Sequence, residues 1–174
     1  MTFNSSIHHR ASTRFHGWDY SAEGKYYVTI CTEGRECLLG KITEGKILLN
    51  AFGRFADAAL QWLPKQYPYV ILDTYAIMPN HLHAILCISN EGGSRTAPTT
   101  PQKSLGRLVG AFKTVSTKWM NLMRNTPGKP IWQRNYHDRI IRDDGELDRI
   151  RRYIQENPAR WSAKAAAPFA NGAI

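Results

Sequence analysis

The chain has 174 residues and a mass of 19.8 kDa, one domain's worth of sequence and enough for a packed core. A hydrophobic fraction of 43% with 5 Trp, 8 Tyr and 6 Phe excludes a disordered or low-complexity chain. The net charge of +9 is the feature that points outward, to a polyanionic partner.

No apolar run reaches the roughly 18 to 20 residues of a membrane span, and Met1-Thr2-Phe3-Asn4 does not open a signal peptide. These features predict a soluble cytoplasmic protein. Cys31, Cys37 and Cys87 form no C-x-x-C pair, so neither a zinc ribbon nor a disulfide framework is indicated and all three read as buried thiols.

In chain order, residues 1–15 lack periodicity and read as an N-terminal arm. Tyr26-Tyr27-Val28-Thr29-Ile30-Cys31 crowds β-branched and aromatic residues into a strand. Cys37 to Leu49 predicts a hairpin turning at Thr43-Glu44-Gly45. Asn50 is placed to cap a helix running to about Pro64, on which Phe52, Phe55, Ala56, Ala59, Leu60 and Leu63 make one apolar stripe. Val70 to Met78 and His81 to Ile88 read as two strands joined at Pro79-Asn80, and Asn90 to Gln102 as a surface loop rich in Gly, Ser, Thr and Pro.

From Ser104 to about Arg124, Leu105, Leu108, Val109, Phe112, Val115, Trp119 and Met123 hold one helical face. Lys103, Arg107 and Lys118 fall on the other. Ile131-Trp132-Gln133 through Ile141 predicts a fourth long strand, and Asp143 or Asp144 opens a last helix that Pro158 closes. Such an order predicts an antiparallel or mixed sheet covered by helices.

The excess charge is local. Between Gly92 and His137 there is no Asp or Glu, but eight cations: Arg95, Lys103, Arg107, Lys113, Lys118, Arg124, Lys129 and Arg134. A positive surface of this kind binds phosphate backbones by releasing condensed counterions, which makes nucleic acid the leading partner. Arg107, Lys118 and Arg134 are the phosphate-contact candidates. Tyr136, Trp132 and Trp161 could stack on unpaired bases, though Trp132 reads more readily as core.

Two places could carry chemistry. His81 and His83, two apart on a strand, project from the same face and suit one metal ion held by neutral imidazoles. Tyr153 and Asn157 lie one helical turn apart, offering a phenol that can attack phosphorus and an amide oxygen that can complete a hard-metal site. The plainer alternatives are surface histidines, a packing tyrosine and an asparagine that caps the helix before proline. No G-x-x-x-x-G-K-[ST] is present, so no nucleotide-triphosphate site is indicated.

Three segments, Tyr75 to Ile85 containing Pro79-Asn80-His81-Leu82-His83, then Ile131 to Tyr136, then Ile150 to Pro158, together resemble the single-tyrosine HUH transposases, most of all the branch of REP-associated tyrosine transposases. The resemblance runs in order from about Arg14 to Trp161. It implies an α+β, ferredoxin-like antiparallel sheet with helices packed on one side, in a single catalytic domain over residues 16–162 followed by a tail over 163–174. It further implies His81, His83 and Asn157 as ligands of a divalent metal, Mg²⁺ or Mn²⁺, and Tyr153 as the nucleophile. The implied reaction cuts single-stranded DNA beside a hairpin, leaving a 5′-phosphotyrosine bond and a free 3′-OH. Arg139 departs from the family, where His often follows an acidic residue. Some relatives work as homodimers that share active sites, and nothing in this chain marks such an interface. Two rival readings stay open: a DNA-binding regulator that has lost cutting, and a nuclease that uses water while Tyr153 is structural.

Overall fold

The computed structural model describes residues 17–89 and 102–166, the side chains of 162–166 excepted. The expected arm over 1–15, most of the loop expected over 90–102 and the end of the tail lie outside the described residues.

Eight residues that alternate across a pleat begin the sheet. In β1 (Gly24–Cys31), Tyr26, Val28 and Ile30 are buried on one side while Tyr27 and Thr29 look to the other. β1 pairs antiparallel with β5 (His81–Ile88) on one edge and with β6 (His137–Ile141) on the other, and β4 (Val70–Ile77) completes the order β4-β5-β1-β6. Counting only these four strands, the order is that of a ferredoxin-like sheet. A separate hairpin, β2 (Gly40–Thr43) and β3 (Lys46–Leu49), precedes α1 (Ala51–Gln66). Asn50 caps α1 as expected: its side chain accepts from the Gly53 amide at 3.0 Å and donates to the Leu38 carbonyl at 2.8 Å. Gly53 lies so close to the Leu39 carbonyl that any Cβ would collide with it.

The helices divide between the two faces. α1 and α2 (Leu105–Met123) pack on the side of Tyr26, Val28, Leu82 and Leu86, where the larger core sits. α3 (Asp144–Ala166) covers the opposite face, with Leu147, Ile150 and Ile154 against Ile85, Ile141 and Tyr27. The expected sheet order is present; the expected one-sided packing of helices is not. The reason is that Tyr27, Ile85 and Cys87 give the second face an apolar patch of its own, which needs a cover.

Four further expectations are corrected. Pro158 lies inside α3 and does not end it, so the helix continues to Ala166 although proline offers the Ile154 carbonyl no N–H. The last strand is only His137–Ile141; Trp132 instead makes an isolated bridge to Thr32, the Ile131 carbonyl accepts from the Glu33 amide, and the Gln133 amide donates to the Cys31 carbonyl. On α2, burial passes from Phe112 to Ser116 and Met120, because Trp132 packs 5.2 Å from Phe112 and its Nε1 donates to Ser116. Trp119 and Met123 are left 48% and 57% exposed. Of the three cysteines only Cys31 is buried; Cys37 is exposed and Cys87 half-buried. No described helix is long and apolar enough to cross a membrane.

Candidate active site

β5 begins at a tight turn in which the Met78 amide donates to the His81 carbonyl at 2.8 Å. That turn is tied into the fold at both residues of Pro79-Asn80: the Leu39 amide donates to the Pro79 carbonyl, and the Thr32 amide to the Asn80 carbonyl at 3.0 Å. The first residues of β5 are thereby fixed. Since side chains alternate along a strand, Leu82 enters the main core while His81 and His83 leave on the face of α3.

The two imidazoles converge, Nε2 to Nε2, at 3.1 Å. Asn80 Nδ2 donates to the Arg35 carbonyl at 3.0 Å, which orients its amide, so its Oδ1 accepts from His81 Nδ1 at 2.7 Å. His81 Nε2 is then a lone pair aimed at His83. On His83, Nδ1 meets the Tyr27 hydroxyl at 2.7 Å and Thr29 Oγ1 at 3.0 Å, the two residues beside it on β1. Burial lowers the pKa of His81 to about 4, helped by the charge of Arg35, and that of His83 to about 3, helped by His81. Both rings are therefore neutral at physiological pH, the form in which imidazole binds metal. Burial also pushes the Tyr27 phenol up to about 12, keeping it a hydroxyl partner for His83.

α3 crosses above this pair. The spacing that buries Leu147, Ile150 and Ile154 brings Asn157 to the same side, one turn further along, where it is 8% exposed. Tyr153 is 40% exposed, its ring edge-on to His83 at 5.4 Å and to Tyr27 at 6.4 Å. Trp161 lies 5.7 Å from His81, and the Arg160 guanidinium 5.8 Å from the Tyr153 ring. Residues 153, 157, 160 and 161 form one helical face because the helix runs through Pro158. All four line a cleft of about 440 Å³ together with His81, His83, Thr29, Arg35 and His137.

This donor set fits a divalent cation. Two nitrogens that share one ion at about 2.1 Å and a right angle stand about 3.0 Å apart, close to the observed separation. At that separation both Nε2 atoms can face one ion. Asn157 supplies an amide oxygen in the same cleft. Among the described residues no cluster of three His, Cys, Asp or Glu could hold a metal, so a site here depends on that amide.

Position of α3 is fixed by more than its apolar stripe. Arg151 reaches Asp73 on β4 through Nε at 3.0 Å and through Nη2, at a bulge between Leu72 and Tyr75. The guanidinium holds the Asp73 carboxyl below the usual carboxylate range. Arg151 is two residues before Tyr153, so this ion pair anchors the turn that carries the phenol.

The profile of the family described as "Transposase IS200 like" matches residues 25–157, from the start of β1 to Asn157. The chain belongs to that family. An uncharacterized protein of Haemophilus influenzae is 36% identical over 170 residues, covering 91% of this transposase-family chain and 93% of its own. The structure of a REP-associated tyrosine transposase bound to a REP hairpin shares the fold at a TM-score of 0.58, with 16% identity over 85% of this chain and 73% of that one.

The structure of this IS200-like chain brings His81, His83, Tyr153 and Asn157 into one cleft, and none of Arg107, Lys118, Arg134 and Tyr136 lines it. Arg107 and Lys118 are exposed on α2, over the opposite face of the sheet; Arg134 is exposed and Tyr136 half-buried just before β6. Among the described residues, three of these cations have internal partners. Lys103 donates to the Tyr67 hydroxyl; the Lys113 ammonium donates to the Gln133, Arg134 and Asn135 carbonyls; and Arg124 Nε donates to Asn121. Arg139 pairs with Glu146 and does not line the cleft.

The cations that do line it, Arg35 and Arg160, were missed from sequence. Arg160 is seven residues from Tyr153 and was legible by helical spacing, had Pro158 not been read as the end of the helix. Arg35 gave no local signal, since its turn is set by contacts to Asn80, 45 residues away.

Proposed function

We propose that the protein cleaves and rejoins single-stranded DNA at hairpin-bearing sites by a metal-dependent reaction, with Tyr153 as nucleophile and His81, His83 and Asn157 as metal ligands. The observation that carries this reading is the convergence of two neutral imidazoles, a buried amide and an exposed phenol on one cleft. The REP-hairpin complex of the structurally similar transposase supports a folded single strand as substrate.

A phosphodiester is an anion that repels nucleophiles, and its transition state gathers more charge on the non-bridging oxygens. A bound Mg²⁺ or Mn²⁺ supplies positive charge at those oxygens. His81 and His83 would hold it through Nε2, their Nδ1 atoms engaged by Asn80 and by Tyr27 and Thr29. Tyr153 is accessible enough to meet a backbone phosphate, and the edge contacts with His83 and Tyr27 orient its ring. Its oxygen forms the bond to phosphorus as the bond to the 3′ oxygen breaks. The phenol loses a proton and the leaving oxygen gains one, so the exchange needs no outside energy source and reverses when a 3′-OH attacks the phosphotyrosine. Trp161 at the His81 end of the cleft offers a ring to an unpaired base. Arg107, Lys118, Arg134 and Tyr136 would contact DNA beyond the cleft.

The test uses hairpin-bearing single-stranded DNA from palindromes flanking the gene, labelled 3′ of the cut, with Mg²⁺ or Mn²⁺, on a denaturing protein gel. The expected result is a labelled band at protein size that disappears with EDTA, with Tyr153→Phe and with His81→Ala. Free cleaved product that persists in Tyr153→Phe would establish the water-using nuclease, and binding without an adduct the regulatory protein.

A further inference from the structure

The turn that follows β1 contains the 3-10 segment Glu33–Arg35. Within it Gly34 takes φ +60° and Arg35 takes φ +56°. Glycine adopts that left-handed region freely; a residue with a Cβ does so at a cost, and such outliers persist where the surroundings hold them. Here the surroundings are identifiable. The buried Thr32 hydroxyl lies 2.8 Å from the Glu36 carbonyl and 2.9 Å from the Asn80 carbonyl, and Asn80 Nδ2 donates to the Arg35 carbonyl itself at 3.0 Å. Through its other end the same Asn80 amide accepts from His81. One side chain thus couples the strained backbone of Arg35 to the ring of a proposed metal ligand.

Arg35 thereby lines the same cleft as His81, His83 and Tyr153, whose ring stands edge-on to His83. Arg160, the other cation of the cleft, is committed to Glu156 at 2.6 Å. Among the described residues no carboxylate pairs with Arg35. A strained, exposed arginine without a carboxylate beside two neutral histidines has no evident part in stability, because glycine would suit its backbone better.

We propose that Arg35 is a phosphate-binding catalytic residue: its guanidinium takes a non-bridging oxygen of the scissile phosphate while Tyr153 attacks. The inference rests on the strand-transfer reading of the same cleft. Arginine suits the task because its planar fork presents parallel N–H donors to phosphate oxygens and stays charged. The bond from Tyr153 to phosphorus forms, the bond to the 3′ oxygen breaks with its electron pair leaving on that oxygen, and Arg35 remains protonated throughout. Asn80 is a positioning residue that sets where the guanidinium and the His81 ring stand relative to each other.

Arg35→Gly separates this role from a structural one, since it removes the side chain and relieves the backbone at once. With the labelled hairpin DNA and Mn²⁺, the single-turnover rate of adduct formation should fall about 100-fold or more in Arg35→Gly, while the thermal midpoint is equal to that of the unaltered protein or higher. Arg35→Lys should recover part of the rate, keeping the charge without the fork. In EDTA, where no adduct forms, Arg35→Gly should bind the same DNA more weakly, with a salt slope smaller by about 1. An unaltered rate in Arg35→Gly, or an unchanged salt slope, overturns the role of Arg35 alone. A failure of the unaltered protein to form any adduct overturns the strand-transfer reading, and this inference with it.

Discussion

Leu82 and His83 are neighbours on one strand, yet they belong to different parts of the molecule. Leu82 is fully buried in the main core beneath α1 and α2; His83, 5% exposed, faces the cleft beneath α3. The same holds along β1, where Tyr26, Val28 and Ile30 fill the core and Tyr27 and Thr29 hold the His83 ring. Pleating alone separates the two roles. The face under α1 and α2 is a continuous apolar layer and carries the stability, whereas the face under α3 has a small apolar patch, Ile85, Ile141, Leu147 and Ile154, and gives the rest of its area to polar groups. The main core and the cleft residues are thereby placed on alternate residues of shared strands.

Substitutions on the two faces should therefore have opposite signatures. Leu82→Ala deletes a fully buried side chain and should lower the unfolding free energy by about 2–5 kcal/mol, read from urea titration. Tyr153→Phe should leave the same titration unchanged, because the exposed hydroxyl has no part in packing, and should abolish the covalent adduct. A marked loss of stability in Tyr153→Phe would mean that the two faces are not independent.

A smaller effect is expected where α3 is pinned to the sheet. Asp73→Ala removes the partner of Arg151, a pair that is partly exposed, and should cost about 1 kcal/mol. Hydrogen exchange in α3 should rise while exchange in β1 and β5 is unchanged, and adduct formation should slow because Tyr153 is held less firmly. Since the folded carboxyl sits below its usual range, this contribution is present above the unfolded pKa of about 3.9 and is lost as pH falls through the lower folded value.

The effect of the histidines appears only as the pH is lowered. Their folded values of about 4 and about 3 lie below the unfolded value of about 6.5, so between those limits the unfolded chain binds more protons. Their share of stability is complete above about pH 6.5 and declines as pH falls toward 4 and then 3. His81→Ala should flatten the stability profile between pH 6.5 and 4 in the absence of metal, as measured by urea unfolding at a series of pH values.

Much of this division was legible beforehand. Alternation placed both histidines on one face, and helical spacing put Asn157 with Tyr153, because both patterns are local. Where the sequence misled, the cause lay in partners distant along the chain. Trp119 and Met123 have the spacing of a buried stripe, but Trp132 packs against the adjacent edge of α2 and draws the burial toward Ser116. Ile131-Trp132-Gln133 has the composition of a strand, but contacts Cys31, the last residue of β1, and Thr32 just after it. Pro158 has the local signature of a stop, and the helix nevertheless continues, carrying Arg160 and Trp161 into the cleft. The cover on the second sheet face follows from Tyr27, Ile85 and Cys87, which alternation alone marks as apolar without saying what packs there.

Tyr153 is the proposed point of covalent attachment. Protease digestion of the DNA adduct followed by mass spectrometry of the nucleotide-bearing peptide tests this directly. The attached phosphate is predicted on Tyr153, in the peptide of α3 that also contains Ile154 and Asn157. Attachment at any other residue, or cleavage that leaves every peptide unmodified, would contradict the account.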